Sequence, residues 1–263
     1  MDVNSLTAIP QIILERLDVA WTFVLLLTRH ITFMAIVPGV GGGFAGLVLR
    51  YPAAMVLSLA ALNVDAAVPM PTNMGGMMSQ LICEVLLGAV IAMVPLLIVS
   101  GAQVAGHLAS GTMGLNGAQL VDPTTQTSLP DLARIYSDLA IIIFLMVGGH
   151  YVTIYQLSGA ESGIVPGTFI LSAGGLQALI DQSGAIFQMG CMIAAPVIVA
   201  LLLTNFVLAV ISKAVPTVNI FIISFPLTIG VGLALSILAL PEAFHYVNAK
   251  FMNLEELLTK VVS

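Results

Sequence analysis

The stretch that most restricts the possible folds is residues 194–232, AAPVIVALLLTNFVLAVISKAVPTVNIFIISFPLTIGVG. Two apolar runs flank a short hinge, Ser212-Lys213-Ala214-Val215-Pro216-Thr217. At about 1.5 Å of rise per residue, each run makes a helix of membrane length. The hinge holds the only charge of the stretch, Lys213, and a helix-stopping proline, Pro216. So short a connection predicts two antiparallel helices lying side by side. Each arm also carries irregularities that a plain lipid anchor does not need: Pro196 and Asn205 in the first, Pro226 in the second. A mid-helix proline removes a backbone hydrogen bond and is expected to kink its arm. Buried against other helices, these residues make sense as packing and shape devices. Ordinary spanning helices with tolerated prolines are the simpler alternative.

The rest of the chain has the same character. Of its 263 residues, 59% are hydrophobic and 8% charged. Soluble domains are about a quarter charged, so polar side chains here are too scarce to cover a water-facing surface. The chain reads as an all-α protein of the membrane class. Its seven Lys and Arg are scattered and form no basic patch, so no nucleic-acid partner is expected. Cys83 and Cys191 lie in apolar runs, without C-x-x-C spacing, and are expected to be buried thiols. The start, MDVNSLTAIPQIILERLDV, has no basic segment ahead of an apolar core and does not read as a cleavable signal peptide.

About six long, kinked apolar helices are predicted, at 19–37, 44–62, 79–105, 131–157, 184–211 and 219–240. Arg29 and His30 fall in the first. A central arginine costs roughly 2.5–3.5 kcal/mol on insertion, so both should face protein or water, or mark the segment's exit. Residues 63–78 and 158–183 read as polar connections, the second with room for a short helix at 176–180. Asp131, Arg134 and Asp138 share one face of the fourth helix and are spaced to pair. Phe244, Val247, Phe251, Leu254, Leu257 and Leu258 recur at helical spacing among charges, an amphipathic tail suited to an interface or a partner helix. Basic residues divide evenly between alternate loops: Arg16, Lys250 and Lys260 against Arg50, Arg134 and Lys213. The asymmetry usual in a simple spanning bundle is missing.

A second informative stretch is Gly106–Pro123, GHLASGTMGLNGAQLVDP. Gly106, Gly111, Gly114 and Gly117 interrupt it, and each glycine costs about 1 kcal/mol relative to alanine inside a helix. A stable helix here is not expected. Asp122-Pro123 forces a turn before a helix restarts at Asp131. A pliable, uncharged loop with one bulky residue, Met113, at its middle has the properties of a plug. The alternative is a close helix crossing of the small-xxx-small type.

Catalytic signatures are missing. There is no H-E-x-x-H, no G-x-S-x-G and no Walker lysine. His30, His107, His150 and His245 are widely separated, so no metal, cofactor or catalytic site is expected. A small-molecule transporter would call for a charged mid-membrane site in repeated halves, and no convincing repeat is visible.

The series Ala195-Pro196, Asn205, Lys213, Pro216, Asn219, Phe221, Pro226 and Gly230 resembles the FliR family of export-gate subunits. Gly114, Asp122 and Pro123 match the family's glycine-rich loop ending in Asp-Pro. Two departures stand out: lysine at 213 where the family usually has arginine, and no glutamine near Thr112 and Met113. The resemblance implies one FliR-type unit over 1–263. Residues 1–183 would form a FliP-like part whose loop 106–123 plugs a pore, and 184–263 a FliQ-like helical hairpin with the amphipathic tail. It further implies a helical assembly with FliP-type, FliQ-type and FlhB-type subunits, in contact with lipid. Unfolded substrates would cross it at the flagellar basal body in the bacterial inner membrane. A virulence-secretion counterpart is the alternative.

Overall fold

The computed structural model describes residues 3–39, 43–63, 67–115, 131–159, 163–214 and 220–262. Among these residues the chain forms eight helices and no strand. They are α1 (Val3–Ile36), α2 (Gly43–Ala61), α3 (Met74–Met113), α4 (Asp131–Met146), α5 (Gly149–Ser158), α6 (Ala173–Ala214), α7 (Ile220–Met252) and α8 (Leu254–Val262). Four contain stretches long and apolar enough to cross a membrane: Leu17–Ile36 in α1, all of α3 and α6, and Ile223–Met252 in α7. The pair α4 and α5 makes a fifth candidate, bent by 67° at its break. The apolar part of α2, Val48–Ala61, is shorter.

All six predicted runs fall on helices, but several boundaries differ for identifiable reasons. The run 131–157 is two helices, because Gly148 between them takes a left-handed conformation (φ 78°) that a β-carbon would oppose. Helix α3 starts earlier than predicted, at Met74, where Asn73 Oδ1 accepts the Gly76 N–H at 2.9 Å. Helix α6 starts at Ala173 rather than Gly184, where Ser172 Oγ accepts the Gly175 N–H at 2.9 Å. Both are N-cap bonds to the third helical residue. Pro52, Pro95, Pro196 and Pro226 lie inside helices, as in the predicted runs, and α7 also continues through Pro241, beyond its predicted end at 240. In long apolar helices, neighbouring groups and local adjustment re-satisfy the backbone that a proline frees.

The chain divides into two compact units interleaved in sequence: Met1–Leu96, Gly148–Ile180 and Leu254–Ser263 form one, Leu97–Val147 and Asp181–Asn253 the other. In the first unit α1 packs on α2, and α5 on α8. Leu25, Phe33, Leu87, Ile91, Leu157 and Leu258 are among its fully buried side chains. In the second unit α4 packs on α7, with the Phe144 and Phe251 ring centroids 5.3 Å apart. The predicted pairing at the start of α4 is present as Arg134–Asp138, at 3.8 Å on the surface, where such a contact contributes little.

The first unit is tied together by one buried ion pair. Helices α1 and α3 approach so closely at Gly88 that a β-carbon there would lie 2.5 Å from the Arg29 carbonyl oxygen. One turn along α3, Glu84 meets Arg29, and both side chains are 0% exposed. The contact is bidentate, Nε to Oε2 at 2.5 Å and Nη2 to Oε1 at 3.1 Å. Arg29 Nη1 also donates to the Leu157 carbonyl at 3.1 Å, and Glu84 Oε1 accepts the Gly167 N–H at 2.5 Å. Four parts of the chain converge there: α1, α3, α5 and the connection after it. Nearby, Trp21 Nε1 donates to Gln80 Oε1 at 2.6 Å, and Thr22 Oγ1 accepts the Val68 N–H at 2.8 Å. His30 is buried too, its Nδ1 lying 2.7 Å from the Leu26 carbonyl and 3.2 Å from Ser58 Oγ. Of the environments expected for Arg29 and His30, the structure provides protein.

Removing one member of such a pair strands a buried charge, at a cost of about 3–5 kcal/mol. Glu84→Ala and Arg29→Ala should each lower the melting temperature of the chain purified in detergent. The double variant Arg29→Met, Glu84→Leu should be clearly less damaging than the two losses added together. Strict additivity would show that the two groups do not act as a pair.

Candidate functional site

The glycine-bearing stretch from Gly106 is helical as far as Met113, against expectation. The reason is contact with other helices, which the isolated stretch does not reveal. At Gly106 a β-carbon would run into the Ala133 Cα and lie 2.8 Å from the Leu132 carbonyl oxygen, so α3 touches the backbone of α4. Gly190 of α6 sits as tightly on Val104, 2.5 Å from its Cγ1. The close-crossing alternative therefore describes this part of the stretch. Burial of Ala102, Ala105 and Ala109 completes the narrow seam and offsets the cost of the glycines.

Met113 is not in the middle of a loop. It lies on the last turn of α3, 1% exposed, with its side chain over Gly232 of α7. A β-carbon at Gly232 would come 2.5 Å from Met113 Cγ and 2.8 Å from its Cε. The Met113 carbonyl accepts the Thr228 hydroxyl at 3.3 Å. Gly114 then stops the helix in the left-handed conformation, φ 82°. Its N–H donates to the Gly111 carbonyl at 3.2 Å, and the Leu115 N–H to the Ser110 carbonyl at 3.1 Å. These are the two bonds of a Schellman ending. Gly106, Gly111, Met113 and Gly114 are thus placed together at one rigid helix end. Gly117, Asp122 and Pro123 lie outside the described residues.

In the hairpin, Pro196, Asn205 and Lys213 of α6 and Pro226 of α7 are exposed on the chain, not buried against its own helices. Pro216 and Asn219 lie outside the described residues. Bare apolar side chains surround the exposed ones, including Leu202, Leu203, Phe206 and Val210 on α6 and Ile237 and Leu238 on α7. Only 28% of the apolar window of α6 and 22% of that of α7 is buried, against 56% for α3. Cys83 is half-buried and Cys191 exposed, so the expectation of two buried thiols fails for Cys191 on the outer side of α6. Among the described residues no three His, Cys, Asp or Glu are placed to hold a metal ion. Sequence reasoning missed Glu84 as the partner of Arg29. The available signal was that each is the acid or base of an otherwise apolar run.

Comparison with known proteins gives these features a family. The family model for bacterial export proteins, family 1, matches residues 20–254. The chain belongs to the FliR family. It is 31% identical over 180 residues to the flagellar biosynthetic protein FliR of Escherichia coli (strain K12), covering 68% of this chain and 69% of that one. With FliR of Pectobacterium carotovorum subsp. carotovorum the identity is 31% over 194 residues, covering 70% and 72%. With FliR of Caulobacter vibrioides it is 30% over 206 residues, covering 77% and 82%. As a member of this family, the chain is a structural subunit of the flagellar type III export gate in the inner membrane. The long apolar helices suit that location.

Two glycine substitutions separate close approach from mere glycine content. Gly106→Ala must push α3 off α4 and should lose about 1–3 kcal/mol of stability by overpacking. Gly230→Ala, which meets nothing within 4 Å, should be neutral or stabilising by up to about 1 kcal/mol. Denaturation of the purified chain in detergent distinguishes them. Equal effects would remove the contact at Ala133 as the reason for Gly106.

Proposed function

We propose that this subunit lines and stoppers the export conduit, in an assembly with FliP-type, FliQ-type and FlhB-type subunits. The stopper is the segment from the end of α3 to the start of α4, and unfolded substrates pass when it moves aside. Residues 1–183 take the FliP-like role in this reading, and the hairpin from 184 onward the FliQ-like one. The observation that carries it is the way the segment's two ends are held. It departs at the locked Met113 and returns at Leu132 and Ala133, which rest on Gly106. Those anchors lie about 10 Å apart along α3, at 1.5 Å per residue. A chain segment pinned at two near points of rigid helices can be displaced without pulling the helices apart. The bare faces of α6 and α7 favour assembly through the hairpin, since apolar patches of that extent mark contact with partners or lipid.

Deleting 116–121, which spares Met113 and Gly114, should leave the assembly recoverable but make cells leaky to small ions. An assembled deletant with a tight membrane would sink the stopper reading. Asn205→Leu or Pro216→Ala should instead lower the yield of sister subunits co-purifying with the tagged chain. Full recovery of both would remove the hairpin as an assembly element.

A further inference from the structure

The first unit carries a groove of about 550 Å³ that neither the ion pair nor the stopper uses. It lies along α5 and α8, and its walls include Tyr151, Val152, Ile154, Tyr155 and Glu255. Tyr151 and Tyr155 stand one helical turn apart on α5, 72% and 54% exposed, whereas Phe33 of α1 in the same unit is buried. Glu255 is exposed at the start of α8. Its neighbour Glu256 is engaged by Lys260 at 2.7 Å, an interaction that holds the Glu256 carboxyl below its ordinary range. Glu255 itself makes none of the ion pairs found among the described residues.

We propose that this groove receives a lysine or arginine side chain projecting from an apolar helix of a sister membrane subunit. The inference rests on the assembly reading above. The chemistry selects the occupant. Two phenol faces and one carboxylate attract a cation, by ring quadrupole and by charge. Val152 and Ile154 give the wall an aliphatic part that accepts the methylene stem of a long basic side chain, and Gln156 and Ser158 complete the lining. A phospholipid is a poor fit. Its ammonium is tied to a phosphate, and the groove offers no basic side chain for that phosphate while Glu255 and Glu256 repel it. The charge of the whole chain points the same way, with 13 acids against 7 bases. A basic contact must therefore come largely from outside.

The test uses the full complex in native membranes. A photoreactive benzophenone amino acid in place of Tyr155 should cross-link to a peptide of a co-purifying membrane subunit, and that peptide should contain Lys or Arg. Glu255→Lys should lower recovery of that subunit by roughly tenfold or more. Tyr151→Leu and Tyr155→Leu should each lower it by about threefold. Tyr151→Phe, which keeps the ring, should leave it unchanged. Cross-links confined to lipid or to a peptide without a base overturn the proposal, as does undiminished recovery with Glu255→Lys. If the unmodified chain brings down no sister subunit, the assembly reading fails and the groove with it. If it brings them down but the groove variants have no effect, only the groove proposal fails.

Discussion

A charge inside so apolar a chain is tolerable only when its counter-charge is already in place. Arg29 and Glu84 meet this condition with two parallel hydrogen bonds, and each makes one further bond to backbone. Much of the first unit follows from that arrangement. Because Glu84 accepts the Gly167 N–H, the connection after α5 is drawn onto α3. Because Arg29 donates to Leu157, the end of α5 is drawn onto α1. Pairs of this kind add little net stability against an apolar replacement, but they are costly to leave half-made. Their effect is to make misregistered packings of α1 and α3 unfavourable, since a slip of one turn leaves both charges unmatched.

The second unit is held by a different means. Its helices meet through absent side chains: Gly106 on α4, Gly190 on α3, Gly232 under Met113. Apolar association in a hydrocarbon gains little from excluding water, so close van der Waals contact has to supply the attraction. Small residues permit that contact. Methionine suits the seat on Gly232 because its unbranched stem fits an irregular hollow. The helix end at Met113 is therefore among the better defined parts of that unit, not a loose one.

The fold class was legible from the length and apolarity of the runs, and the amphipathic tail from its spacing: Leu254, Leu258 and Val261 are buried while Glu255, Glu256 and Lys260 are exposed. Two helix starts were also legible in principle, since Asn73 and Ser172 are ordinary capping residues ahead of their helices. Gly106 to Met113 was misread because helix propensity is local, whereas the contact with Ala133 comes from elsewhere in the sequence. Pro52, Pro95, Pro196 and Pro226 fall inside helices as the predicted runs had them, since the penalty familiar from soluble helices is softened in long apolar ones. The break at Gly148 lies in an unbroken apolar run, and hydropathy is blind to a reversal of φ. The pairing of Arg29 with Glu84 spans 55 positions in sequence, beyond the reach of any local pattern.

The thin cover on α6 and α7 bears on how a cell must manage this polypeptide. Surfaces such as those around Phe206 and Leu238 invite promiscuous sticking whenever a copy is left over. Surplus copies are what chaperones and proteases remove. Production of the chain therefore has to be matched to that of whatever sheathes these helices. Overproducing it alone would mainly feed its own turnover.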